Sequence, residues 1–254
     1  MTELNRTQQQ TSFKILLLGD NCIDVYQYGT VDRISPEAPV PIFKYSHKEQ
    51  RHGMAGNVSN NLKALGCHVN YLHTETSMKT RLIDSRSKQQ MIRIDDDVTA
   101  TPIQFDTDIP DVYDAVVISD YDKGSISYEL IEEVIATVKC PVFIDTKKTD
   151  LERMQGAWVK INELEYSKIK SECSGLIVTR GSRGASAIHH NIDVAASSVE
   201  VVDVTGAGDT FLAALTYQYL DTGDIEQAIR FANQASAVTV QHLGVYAPTL
   251  KEMG

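Results

Sequence analysis

The sequence predicts an α/β fold: a mostly parallel sheet covered by helices on both faces. Short aliphatic runs that end in Gly or Asp recur along the chain, as buried parallel strands do. Amphipathic segments of helical spacing lie between them, and nothing resembling a linker or an internal repeat divides the chain. Residues 1–254 are therefore expected to form a single domain.

The elements follow in order. Twelve mostly polar residues, expected as a solvated tail, precede Phe13–Asp20, an apolar run expected as the first buried strand. Arg33–Tyr45 carries prolines at 36, 39 and 41; a proline cannot donate to a ladder, so this segment reads as a loop followed by an edge strand. Residues 56–66 place Val58, Leu62 and Leu65 on one helical face, with Gly66 as the stop. Lys79–Asp95 alternates polar and aliphatic residues and is expected as two exposed strands. Asp111–Asp120, Cys140–Asp145 and Gly175–Gly181 repeat the strand signal, and Ala157–Ile161 is a further expected strand. Glu129–Val138 has Leu130, Ile131, Val134, Ile135 and Val138 on one apolar face. Thr205–Leu220 and Ile225–Leu243 read as two more helices.

Composition narrows function. Lys and Arg number 24 against 34 Asp and Glu, a formal net charge of −10, so a general nucleic-acid partner is not expected. An anionic substrate must then be held by a local cluster of donors. Cys22, Cys67, Cys140 and Cys173 lie far apart, with no CxxC pair, which suits a reducing cytosol and neither a disulfide framework nor a zinc site. No apolar run is long enough to span a bilayer and no secretory signal is recognised at the start, so a cytoplasmic protein without membrane contact is expected.

Val201–Phe211 carries the strongest chemical signal. Gly206, Ala207 and Gly208 sit where a loop becomes a helix, and their amides would be unpaired and able to face an anion. Asp209 follows at once. A carboxylate beside an anion cradle is useless for binding alone, but makes sense as the acceptor of a proton from a hydroxyl that attacks a phosphoryl group held there. The same residues also suit a helix N-cap, and both readings stand on the local physics. No GxxxxGK[ST] loop occurs, and no GxGxxG follows the first strand, which argues against P-loop and dinucleotide-binding proteins.

Other segments carry paired readings. In His52–Asn61, Gly53 and Gly56 permit close backbone approach and Asn57 offers a donor and an acceptor to a sugar hydroxyl, or the segment is a capped turn. Asp20 and Asp24 flank the end of the first strand, where open α/β sheets bind ligands, or they cap a loop. Asn162 and Glu165, three apart, would anchor Mg²⁺ through its waters, or begin a solvated helix. His189 and His190 read as surface residues, with no third ligand evident.

Together these segments resemble the ribokinase-like (PfkB) carbohydrate kinases over nearly the whole chain, with TGAGDTF preceded by Asp203 as the specific element. Within them, GDNCIDVYQYG (19–29), RISPEAPVP (33–41), QQMIRID (89–95), SDYDKG (119–124), the run at 144–157 and FAN (231–233) are most similar to the D-glycero-β-D-manno-heptose-7-phosphate kinases. The resemblance implies a ribokinase-like three-layer sandwich with a small β lid formed by residues about 25–45 and 79–95. It implies ATP and Mg²⁺ as cofactors and transfer to the C1 hydroxyl of a heptose 7-phosphate. Asp209 would be the catalytic base and Gly206, Ala207 and Gly208 the anion hole. Asp20, Asp24, Arg33, Gly53 and Asn57 would meet the sugar phosphate. Arg51, Arg81 and Arg93 are further candidates for its charge. Asn162, Thr179, Gly181 and Asn233 would serve the nucleotide, with Glu165 near the metal. A homodimer through the lid is expected, because a two-sided β lid leaves open edges.

The chain departs from the pattern in three places. Met54 stands where a second glycine is expected; a helix and strands are missing around His73–Met78; and Tyr166–Cys173 replaces a longer helical stretch. Such kinases also occur as one half of a bifunctional kinase/adenylyltransferase; no HxGH nucleotidyltransferase motif appears here, so the resemblance extends to the kinase half alone. These shortenings leave a second expectation open, a catalytically weak binding or regulatory protein that keeps the site without turnover.

Overall fold

The computed structural model describes residues 12–105 and 112–253. Strand β1 (Lys14–Gly19) is buried along nearly its whole length. Its aliphatic run works in two directions: Ile15 and Leu17 enter one apolar core, Leu16 and Leu18 the other. Alternate side chains of one strand thus feed both faces of the sheet.

β1 runs directly into the lid. Strands β2 (Asn21–Ile34) and β3 (Pro41–Met54) form a long antiparallel pair, with the prolines at 36 and 39 in the turn and Pro41 opening the edge strand, as expected. Helix α1 (Ala55–Ala64) buries Val58 and Leu62 and ends at Gly66, whose φ of 91° is the left-handed stop. The backbone enters α1 through Met54 at φ 52°, a conformation that favours glycine, at the position where the family pattern has one.

Strand β4 (His68–Leu72) pairs with β1 and is the edge of the main sheet. Three residues later the chain re-enters the lid as β5 (Thr76–Asp84), followed by β6 (Gln90–Asp96). The lid sheet has the order β3-β2-β5-β6, with β2 and β5 parallel. It is larger than the expected segments 25–45 and 79–95, because the charged stretch Lys44–His52 continues as a solvated strand and β2 starts at Asn21. β6 is exposed along its length, as expected, whereas β5 is half-buried between its neighbours.

β7 (Ala115–Asp120) is wholly buried. The expected strand began at Asp111, which lies outside the described residues; Asp114 instead accepts a hydrogen bond from the Lys14 amide at 2.7 Å. Helix α2 (Tyr128–Thr137) is capped by the Ser127 hydroxyl and covers the Leu16/Leu18 face with Leu130, Ile131 and Val134. β8 (Val142–Thr146), β9 (Trp158–Asn162), the one-turn helix α3 (Glu163–Tyr166) and β10 (Gly175–Thr179) follow. β11 (Ala185–Ala187) and β12 (Ile192–Val194) close the sheet antiparallel, giving the order β12-β11-β10-β9-β8-β7-β1-β4.

The opposite face is covered by α1, α4 (Ala207–Thr222) and α5 (Ile225–Thr239), with the short α6 (Leu250–Met253) against them. The result is helix, sheet and helix in three layers, with the lid standing on the carboxyl end of β1. The last long helix stops four residues before Leu243, since residues 240–244 turn through Gly244 at φ 73° to meet Asp203. Among the described residues no helix is long and apolar enough to cross a membrane.

Candidate active site

The carboxyl ends of β1, β7, β8 and β9 converge on the start of α4, as the topology of an open parallel sheet requires. Gly206 takes φ 79° before the first helical residue, and a side chain there would meet the Asn57 amide nitrogen at 2.7 Å. The first helical bond of α4 runs from the Thr210 amide to the Gly206 carbonyl, and the Ala207 amide turns to the Val204 carbonyl at 3.3 Å. The amides of Gly208 and Asp209 are left without intrahelical acceptors at the positive end of a sixteen-residue helix. Of the three amides expected to face an anion, that of Gly208 is free, that of Ala207 is turned to Val204, and the Asp209 amide is free beside them.

Asp209 is 5% exposed. Its Oδ2 accepts from Asn57 Nδ2 at 2.9 Å and its Oδ1 from the Tyr121 hydroxyl at 2.8 Å. Burial pushes its carboxyl up to about 6, against the lowering effect of those two donors, and Asp145 pushes in the same direction as burial. The group is therefore ionised at neutral pH yet close enough to it to take a proton. Tyr121 is the reciprocal case: burial and then the Asp209 charge hold its phenol well above the ordinary value, so it remains a donor. The Asn57 side chain is oriented from behind, since Asn61 Nδ2 donates to Asn57 Oδ1 at 3.3 Å and to its backbone carbonyl at 2.8 Å, and Thr210 donates to Asn61 Oδ1 at 2.9 Å.

Beneath Gly208 lies a buried ion pair. Lys160 Nζ donates to Asp145 Oδ2 at 2.7 Å, and a side chain at position 208 would meet that ammonium at 2.9 Å. A fixed positive charge thus adds to the helix dipole where an anion would rest. Asp145 Oδ1 is buried with no hydrogen-bond partner. Glu165 and Asn162 form a reciprocal capping box on α3, and Glu165 Oε1 also pairs with Lys147. Among the described residues no three His, Cys, Asp or Glu side chains form a ready metal cage. Mg²⁺ needs less: one or two carboxylates, with phosphate and water oxygens filling the rest. The unpaired oxygen of Asp145 and the carboxylate of Glu165 fit that requirement.

On the lid side, Asp24 Oδ1 accepts from Arg81 at 3.0 Å, while its Oδ2 lies so close to Gly53 that a side chain there would meet it at 2.5 Å. Arg51 and Arg81 both lie over the Tyr26 ring, and with Lys88, Tyr28 and Gly244 they line a cleft between lid and body. Asp203, expected beside the anion loop, clamps this edge by accepting from Thr205 and from the Gly244 amide.

Not every expected residue meets the cleft. Arg33 sits exposed near the end of β2, nine residues beyond Asp24, which is roughly 30 Å at the rise of a strand. Arg93 pairs with Asp95 on exposed β6. Asp20 is 1% exposed and accepts from the amides of Tyr121, Lys123 and Ser125 and from the Ser125 hydroxyl, so it clamps the 121–125 turn. Gly181 and Asn233 do share a cavity, walled by Val201, Val204, Ala207 and Val240, but Thr179 and Asn162 do not line it. The Thr179 hydroxyl donates to the Ile161 carbonyl, and the Asn233 amide donates to the Val194 carbonyl.

Tyr121, Lys147, Lys160 and Lys88 were not singled out from the sequence. Lysines carry no periodic signal, and the tyrosine lay inside SDYDKG, a segment noted only for its resemblance.

Comparison with known proteins gives the family and the fold. Residues 112–252 match the family model described as pfkB family carbohydrate kinase. The chain is 36% identical to the bifunctional protein HldE of a Nitratiruptor species over 299 aligned positions, covering 94% of this chain and 64% of the relative. It is 33% identical to HldE of Vibrio parahaemolyticus, covering 94% of this chain and 62% of the relative. The aligned stretch of 299 positions exceeds the 254 residues of this chain, so the relative carries segments inside the matched span that are missing here. Among solved structures, ribokinase from Thermotoga maritima superposes with a TM-score of 0.71 at 16% identity, covering 95% of this chain and 98% of that one. Ribokinase from Arabidopsis thaliana, complexed with ribose and ATP, does so at 0.69 and 17%, covering 96% and 98%. The fold is ribokinase-like, and the chain belongs to the pfkB family of carbohydrate kinases.

Proposed function

We propose that this chain transfers the γ-phosphoryl group of ATP to a sugar phosphate, the C1 hydroxyl of a heptose 7-phosphate, with Asp209 as the base. The observation that carries the reading is Asp209 itself: a buried carboxylate, pushed up to about 6, in the first turn of α4 beside amides with no intrahelical acceptor. Asp209 takes the hydroxyl proton as the sugar oxygen attacks phosphorus. The amides of Gly208 and Asp209 and the Lys160 ammonium face the charge on the group in transit.

Three cations in an acidic protein, Arg51, Arg81 and Lys88, line the cleft on the lid side and support a substrate that already carries a phosphate. The heptose assignment rests on the RISPEAPVP and SDYDKG segments. Apolar Val201, Val204 and Val240 around Gly181 and Asn233 suit a purine base. Asp145 and Glu165 would hold Mg²⁺, which when bound neutralises phosphate charge.

The chain acts in this reading as a single catalytic domain in the cytosol, with no nucleic-acid or membrane partner. Met78, Ile92 and Ile94 are exposed on the lid, which supports a homodimer that covers them. Sedimentation giving a monomer at micromolar concentration would count against the dimer.

The test is a screen of sugar phosphates with ATP and Mg²⁺, followed by ADP release. Turnover on a heptose 7-phosphate above other sugars is the expected result. Nucleotide binding with no turnover on any candidate would replace the kinase by the binding protein.

A further inference from the structure

Lys147 follows β8 on the segment that carries Asp145, and its ammonium stands where three carboxylates act. It pairs with Glu165 Oε1 and lies 5.1 Å from the centroid of the Tyr121 ring, whose hydroxyl is bonded to Asp209. The group is a permanent cation at the mouth of the anion site.

The neighbouring lysines are fixed in more buried pairs. Lys160 is locked in its buried pair with Asp145. Lys148 lies 3.2 Å from Asp120 Oδ2 with a side chain only 8% exposed. The Lys147 side chain is 35% exposed and its carboxylate partner is partly open to solvent as well. Solvent reaches both members of this pair and screens it, so the ammonium can exchange the carboxylate for a more highly charged phosphate oxygen.

We propose that Lys147 is a catalytic residue that contacts the phosphoryl group in transfer, leaving Glu165 when the terminal phosphate arrives. This inference rests on the kinase reading. In the step, a bond forms between the sugar oxygen and the terminal phosphorus, and the bond from that phosphorus to the bridging oxygen breaks. Its electron pair leaves with ADP, the sugar proton passes to Asp209, and Lys147 stays protonated throughout. Its role is to balance charge spread over the equatorial oxygens as they pass from donor to acceptor. A lysine serves this as a mobile point charge.

The test uses the full chain with Lys147→Met and Lys147→Arg. Equilibrium binding of ATP and of ADP is measured in EDTA, and turnover separately with Mg²⁺. The methionine variant should lose about tenfold in ATP affinity, the scale of one hydrogen bond to a charged group, with ADP affinity unchanged. Its kcat should fall about 10²-fold with KM for the sugar phosphate unmoved. The arginine variant should recover part of the preference for ATP over ADP. Equal loss of ATP and ADP affinity, or no loss of either, overturns the proposal, as does a methionine variant with the parent's kcat. Should the methionine variant melt at a much lower temperature, the ATP-to-ADP ratio of the arginine variant decides alone: a ratio close to the parent's supports the assignment, and a ratio of one sinks it. A parent chain that turns over no sugar phosphate, yet prefers ATP through Lys147, would sink the kinase reading while leaving this contact standing.

Discussion

Tyr121 donates its hydroxyl hydrogen to Asp209 Oδ1 at 2.8 Å, from the turn that Asp20 clamps. A donor to an ionised carboxylate stabilises the charged form, so Tyr121 holds the base below the value that burial alone would impose. Tyr121→Phe should therefore move the acidic limb of kcat/KM upward by about one pH unit, the scale of one hydrogen bond to a charged group. Turnover at pH 8 should change less than turnover at pH 6. A pH–rate profile checks this, and an unmoved limb would mean that the contact does not tune the base.

The unaltered chain should lose activity as pH falls through about 6, because protonated Asp209 cannot accept the hydroxyl proton. The measurement is kcat/KM between pH 5 and 8 at saturating ATP. A limb near the ordinary aspartate value would show that the carboxylate is solvated in solution.

Stability should respond in the opposite direction. The folded pKa of Asp209 is raised from 3.8 to about 6, so the folded state binds the proton more tightly than the unfolded one. Its contribution to stability is complete below pH 3.8 and is lost as pH rises through about 6. Asp209→Asn removes the cost of burying a charge and should raise stability at pH 8 by up to about 3 kcal/mol. That gain should shrink toward pH 4. Melting of parent and variant across this range gives the comparison, and a variant less stable at pH 8 contradicts the burial argument.

The Lys160–Asp145 pair makes a separate prediction. Both side chains are 5% exposed, so removing one leaves an uncompensated buried charge. Lys160→Met should destabilise the fold by about 3–5 kcal/mol. The double variant with Asp145→Leu should recover much of this stability while remaining inactive. Denaturant unfolding of the three proteins tests it; a single variant as stable as the parent would mean that water reaches the pair.

Lys88 lines the lid cleft at φ 59° in a turn, on the same cleft as Arg81. Lys88→Gln should raise KM for the sugar phosphate about tenfold, leave KM for ATP alone, and weaken the salt dependence of kcat/KM. Equal effects on a neutral sugar and its phosphate would remove the cleft as the anion subsite.

Much of the layered body was legible in the sequence because its signals are periodic. Ile15–Leu18 and Ala115–Ile118 are apolar without interruption, and α4 and α5 begin and end on recognisable residues: Gly206, Gly223 and Asp224. The lid was legible only in outline. Lys44–His52 is rich in charged and polar residues, and what makes it a strand is pairing with β2, which no local pattern records. In the site, Asp209 and Asn57 stood out because glycines and amides cluster around them, and both meet in space at 2.9 Å. Asp20 was read from its place at the end of the first strand and Arg33 from the resemblance, but the Asp20 carboxylate turns to the 121–125 turn and Arg33 is carried away along β2. Tyr121, Lys147 and Lys160 come from three separate loops and strands, and only the sheet order brings them to one place.

The central claim is that Asp209 removes the proton of the hydroxyl being phosphorylated. Its most direct test follows product formation from ATP and heptose 7-phosphate by phosphorus NMR, comparing the parent with Asp209→Asn at pH 8. A new C1 phosphate should appear with the parent and form about 10²–10⁴-fold more slowly with the variant, while both remain folded. Equal rates in the two proteins would contradict the account.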